Sequence, residues 1–140
     1  PMIKELVTDD AILSQRCEPA TADDAELAQD LLDTLASLDD AACLAANQIG
    51  VTKAMFAYVD EKDRARVMCN PHILLGLAPA QVVEGCLTRE EEQRVKRFAK
   101  VKVKYQELVD GKLVNRQADF LGWMAQVVQH MVDHCNGKLI

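Results

Sequence analysis

The 140-residue sequence lacks any apolar run approaching the ~18 residues of a membrane-spanning helix, so no membrane association is expected. It is short of positive charge. Lysine and arginine number 16 against 22 aspartates and glutamates, a formal net charge of -6, which argues against a general affinity for phosphate backbones and so against nucleic acid as a direct partner. It also lacks a paired set of cysteines. Cys17, Cys43, Cys69, Cys86 and Cys135 are odd in number and scattered, with no secretory leader read ahead of them, so a cytoplasmic protein without a disulfide framework is expected. Repeats, low-complexity segments and linkers are missing as well. A single domain spanning 1–140 is therefore expected, long enough to bury roughly two thirds of the surface its unfolded chain exposes.

What is present reads as mixed α and β. Asp9 to Leu13 suggests a short helix that is stopped before Pro19. Thr21-Ala22-Asp23-Asp24 is a capping box, since the Thr21 hydroxyl can take an orphan amide of the first turn while Asp24 reaches back. The helix it opens carries Leu27, Leu31, Leu35 and Leu38 on one face. Ala41 to Gly50 is rich in small residues. Ala54 to Val59 and Val67 to Asn70 read as strands, the second interrupted by Pro71, and His72 beyond it reads as an ordinary surface residue. Ile73 to Leu77 and Gln81 to Leu87 read as short strands separated by a bend at Gly76 and Pro79. Glu90 to Arg97 is expected as a solvated charged loop. Val101-Lys102-Val103-Lys104-Tyr105-Gln106 alternates with period two, as a strand with one wet face does, and Asp110-Gly111 turns it back into Leu113 to Ala118. From Leu121 to Asn136 the period is helical, with Gly137 placed to end it.

That last helix carries the chemistry. Two of the three histidines, His130 and His134, lie four residues apart, so both imidazoles project from one face and can reach one metal ion. A histidine pair alone leaves metal and non-metal readings open. The familiar metallohydrolase form is H-E-x-x-H, in which the glutamate serves as general base. Here Met131 holds that position, and a thioether accepts no proton. Cys86, beside Gly85 at the end of a strand, is the best candidate for a third ligand, because a thiolate with two imidazoles leaves a divalent metal one open position.

With these residues in view the chain resembles the peptide deformylases. The resemblance is carried by Cys86 within E-G-C-L-T, by His130 and His134 within Q-H-M-V-D-H, and by Leu44-Ala45-Ala46-Asn47-Gln48 ahead of Ile49-Gly50, in that family's order, with Asn70-Pro71 and Val95-Lys96-Arg97 besides. It implies a small α+β fold in which antiparallel sheet packs around the C-terminal metal-binding helix. It also implies removal of the formyl group from N-formylmethionyl peptides by one divalent metal ion, Fe2+ by family, with Zn2+, Ni2+ or Co2+ as substitutes. Carried over, Cys86, His130 and His134 would hold the metal, while the Gln48 side-chain amide and the Leu87 backbone N–H would donate to the oxygen of the tetrahedral intermediate. Arg97 and Asp133 would form an ion pair supporting the metal helix. Trp123, Val127 and His130 share one helix face, so a methionine-sized side chain would lie against Trp123 and Val127.

The departures are equally specific. Met131 replaces the general base, Ala41 and Cys43 stand where the first motif usually has glycines, and Thr88 replaces a usual serine. Arg89 to Gln93 replace a more apolar segment. The sequence stops at Ile140, so no ribosome-contacting C-terminal helix is expected. The implied function is a deformylase-type hydrolase impaired by loss of its base; the alternative is a catalytically inactive deformylase-like protein that binds metal or peptide.

Overall fold

The computed structural model describes residues 2–140 and contains one antiparallel sheet of five strands. These are β1 (Cys43–Ala45), β2 (Met55–Val59), β3 (Ala65–Cys86), β4 (Arg89–Val109) and β5 (Lys112–Leu121), each paired with the next in sequence. The period-two stretch lies in β4, where Val101, Val103 and Tyr105 point into the core and Lys104 is exposed. Asp110 (φ 51) and Gly111 (φ 77) supply the left-handed pair that a two-residue hairpin of matching twist requires.

Among the described residues there are three α-helices, α1 (Asp10–Leu13), α2 (Ala25–Ser37) and α3 (Gly122–Cys135), of which α2 and α3 pack on the sheet. The capping box forms over a 3-10 turn leading into α2, with the Asp23 amide donating to Thr21 Oγ1 (3.3 Å) and the Thr21 amide to Asp24 Oδ2 (2.7 Å). β2 is apolar on both faces because both are covered. Met55 and Ala57 pack with Leu31 and Leu35 of α2, whereas Phe56 and Tyr58 pack with Val128 and Met131 of α3. Each of the larger side chains, Leu, Met, Val or Phe, contributes about 1.5–3 kcal/mol when taken fully out of water. α3 is buried from Met124 onward apart from Gln126 and Asp133, so the helix bearing the histidines is held between the sheet and the rest of the chain.

Two stretches differ from the sequence expectation. Glu90–Arg97 is not a loop but the first part of β4, in register with β3 through Glu84↔Gln93, Val82↔Val95 and Ala80↔Arg97. Charge indicates where side chains end, not whether the backbone has a partner, and β3 supplies one along the whole segment. The second difference is at Pro71 and Gly76, through which β3 runs without a break. At Asn70 (φ 50) the ladder slips between Cys69 and His72, a bulge where the missing N–H of Pro71 costs no ladder bond. Gly76 is required by a close approach, because an added Cβ would stand 2.5 Å from the Phe98 ring. Ile73–Leu77 and Gln81–Cys86 are therefore parts of one strand, and His72 is exposed on it.

Candidate metal centre and active site

β3 ends at Cys86, and the two residues Leu87 and Thr88 return the chain to β4. This tight tip carries the Cys86 thiol to α3, where Cys86 Sγ lies 3.4 Å from His134 Nε2. Donor atoms of Cys86, His130 and His134 all fall within 4.8 Å of one another. A tetrahedral ion with bonds of roughly 2.0–2.3 Å needs donors roughly 3.5 Å apart, so one ion can touch all three. The donor set is one sulfur and two imidazole nitrogens, which suits a divalent transition metal and leaves one position open.

The helix that carries His130 and His134 is tied to the sheet by charge. His130 Nδ1 lies 2.8 Å from Glu84 Oε1, which leaves the opposite ring nitrogen free for a metal. The same carboxylate accepts from Arg97 Nε (2.9 Å) and Nη2 (2.8 Å), and Arg97 Nη1 donates to Asp133 Oδ2 at 2.7 Å. Arg97 and Glu84 side chains are only 8% and 7% exposed, so these bonds act in a low dielectric. Burial alone would raise the Glu84 carboxyl, but bonds from His130 and Arg97 outweigh it and hold it down at about 2. Gln129 adds a neutral clamp from α3, accepting from the Phe98 amide at 2.9 Å and donating to the Phe98 carbonyl at 2.8 Å.

The five cysteines divide sharply. Burial pushes Cys17 up to about 11 and Cys43, Cys69 and Cys135 up to about 12, which keeps them neutral thiols. Cys86 is also pushed up by burial, but hydrogen bonds from His130, His134 and Thr88 overcome this and bring it down to about 5. Among the cysteines, thiolate character therefore belongs to Cys86, the one inside the histidine cluster.

Beside the cluster opens a cavity of about 450 Å³, lined in part by Cys43, Gln48, Leu87, Trp123, Val127 and Met131 together with Cys86 and His130. Trp123 is 64% exposed, so the cleft is open at that wall, while Met131 is 1% exposed. Gln48 is positioned by its own turn. Its Oε1 accepts from the Ala45 amide (2.8 Å), which directs the Nε2 group toward Cys86 Sγ (3.4 Å) and Thr88 Oγ1 (3.2 Å). Gln48, Leu87, Met131, Trp123 and Val127 thus meet the metal-type cluster at one cavity, and Arg97 and Asp133 lie behind His130 through Glu84. Glu84 itself was not singled out from the sequence. It precedes Gly85-Cys86 in the motif, and its role needs the β3–β4 pairing and the seating of α3, which bring its carboxylate within reach of Arg97 and His130. Cys43, which stands where the first motif usually has a glycine, forms part of the cavity wall.

The whole chain, residues 3–140, matches the model of the polypeptide deformylase family. The chain belongs to the peptide deformylase family. A peptide deformylase of Clostridium beijerinckii is 36% identical over 140 residues, covering 99% of this chain and 100% of that one. Among solved structures, a class I type b peptide deformylase from Acinetobacter baumannii superposes with a TM-score of 0.87 at 28% identity, covering 99% of this chain and 97% of that one. A form of that enzyme with Met-Ala-Ser bound gives a TM-score of 0.86 at 28% identity and the same coverage. The α+β architecture expected from the deformylase resemblance, antiparallel sheet with a C-terminal helix packed against it, is the one these proteins have. The family is metal-dependent, and the donor set of this member fits a metal ion.

Proposed function

We propose that the chain is a deformylase-type hydrolase for N-formylmethionyl peptides, using one divalent metal ion held by Cys86, His130 and His134, with its rate limited at residue 131. The observation that carries this reading is the convergence of the three donors on an open, mostly apolar cavity that also holds the Gln48 amide. When bound, such an ion supplies Lewis-acid activation of the formyl carbonyl and of water. Fe2+ is the choice by family, with Zn2+, Ni2+ or Co2+ as substitutes.

The chain's own residues do the rest. Gln48 Nε2 and the Leu87 amide donate to the oxygen on which negative charge develops, and because the Ala45 amide fixes Gln48, the donor needs no reorganisation at the moment of reaction. Trp123 and Val127 hold the methionine side chain, and the likeness to an Acinetobacter relative with Met-Ala-Ser bound supports a peptide beginning with methionine as the ligand. Glu84 orients His130, and Arg97 and Asp133 hold Glu84 and α3 together. No group at 131 takes or delivers a proton. General acid–base help is worth a factor of about 10² to 10⁴, or about 3 to 5.5 kcal/mol of barrier.

Restoring the carboxylate tests the reading. With all three ligands retained, Met131→Glu should raise turnover of a formyl-methionyl peptide by about 10² to 10⁴ at unchanged metal content. A second reading, a relative that binds metal or peptide without cleaving it, is favoured by the apolar, 1% exposed Met131 and by Cys43 at the cavity wall. No rise in turnover with metal still bound would select it.

A further inference from the structure

Methionine at position 131 adds as well as removes. Met131 lines the cavity that Cys86 and His130 also line, it is the chain neighbour of His130 and stands three residues before His134 on the same helix, and at 1% exposure it is shielded from bulk water. Soft donors gather at this cavity: the Cys86 and Cys43 sulfurs and the His130 imidazole line it, with His134 in the same donor cluster, while the Glu84 carboxylate in the lining is taken up by His130 and Arg97 and position 131 offers no acceptor oxygen to favour a hard, hydrated ion. Thiolate and thioether sulfur select Cu(I), imidazole binds copper well, and two histidines, one cysteine and a weakly bound methionine is a recurrent copper donor set.

We propose that Met131 converts this site into one selective for copper, with its thioether as the fourth donor beside Cys86, His130 and His134. The inference rests on that cluster being a metal site, as the proposed function also does, but it assigns the methionine a role of its own. A thioether in the fourth position leaves no place there for water. Copper binding and hydrolysis thus exclude one another, and the metal the chain carries decides between the hydrolase and the binding protein.

Binding of Cu(I) and Zn2+ to the full chain, each in competition with a chelator under anaerobic conditions, tests this, with X-ray absorption counting sulfur neighbours of the copper. Wild type should show two sulfur neighbours, and Met131→Leu, of similar volume and without sulfur, should show one. The same substitution should weaken Cu(I) by about tenfold or more while shifting Zn2+ by less than about threefold. One sulfur in wild type, two persisting in Met131→Leu, or equal Cu(I) affinity in both would overturn the proposal. The wild-type count needs no variant to fold. Cys86→Ala separates the two layers of argument: if it keeps both metals, the metal-site reading itself fails, whereas loss of both metals with no effect of Met131→Leu removes only the copper role.

Discussion

Glu84 is the residue on which the support of the site converges, since one carboxylate holds His130 and two nitrogens of Arg97 with almost no solvent contact. Removing one partner of a buried ion pair leaves the other charges uncompensated, at a cost of about 3–5 kcal/mol. Glu84→Ala is expected to lower unfolding free energy by that amount in urea titrations of the metal-free protein. Glu107 is a useful control. It accepts from Arg66 at 2.7 Å and from Arg116 at 2.9 Å, but both arginines are 45% exposed, and water screens what the geometry offers. Glu107→Ala should cost no more than about 1 kcal/mol. If the two substitutions cost the same, burial is not what makes the Glu84 bonds count.

Among the elements, the long hairpin of β3 and β4 delivers Cys86 to α3, and where it passes Gly76 the missing side chain leaves room for the Phe98 ring. A Cβ there meets ring carbons at 2.5 Å, so Gly76→Ala must push Phe98 aside, an overpacking cost of about 1–3 kcal/mol. Most of that cost should disappear in a Phe98→Ala background, which removes Cγ together with the ring, as read from a double-mutant cycle. An equal penalty in both backgrounds would show that the strain lies in the backbone at 76 rather than against the ring. The Asp-Gly turn, the capping box and the helix through His134 are local patterns, and each is legible in the sequence because its geometry involves neighbours only a few residues apart. The Glu90–Arg97 strand was not legible. Its hydrogen bonds come from β3, and its charged residues carry no apolar alternation strong enough to betray the pairing.

Across the whole molecule, a bound ion would join the tip of the sheet to the C-terminal helix, two parts otherwise linked there by the Glu84–Arg97–Asp133 bonds. An ion present at about 100 times its dissociation constant stabilises the folded chain by about 2.7 kcal/mol, so chelation should lower the calorimetric Tm by about 5–10 °C. Cys86→Ala should unfold at the same temperature with and without chelator. A chelator effect that persists in this variant would place the stabilising ion elsewhere. The sequence by itself determined what depends on periodicity: the helix, the i and i+4 histidines on one face of it, and the methionine between them where a base is expected. The family motifs added Cys86 to the two histidines. What only tertiary structure decided are the meetings of residues far apart in the chain. Cys86 reaches His134 across 48 positions, and Glu84 reaches His130 across 46 and Arg97 across 13. Those distances depend on strand register and on how α3 seats against the sheet, which no local pattern specifies. The same packing buried Met131 and set it in one cavity wall with Cys86 and His130.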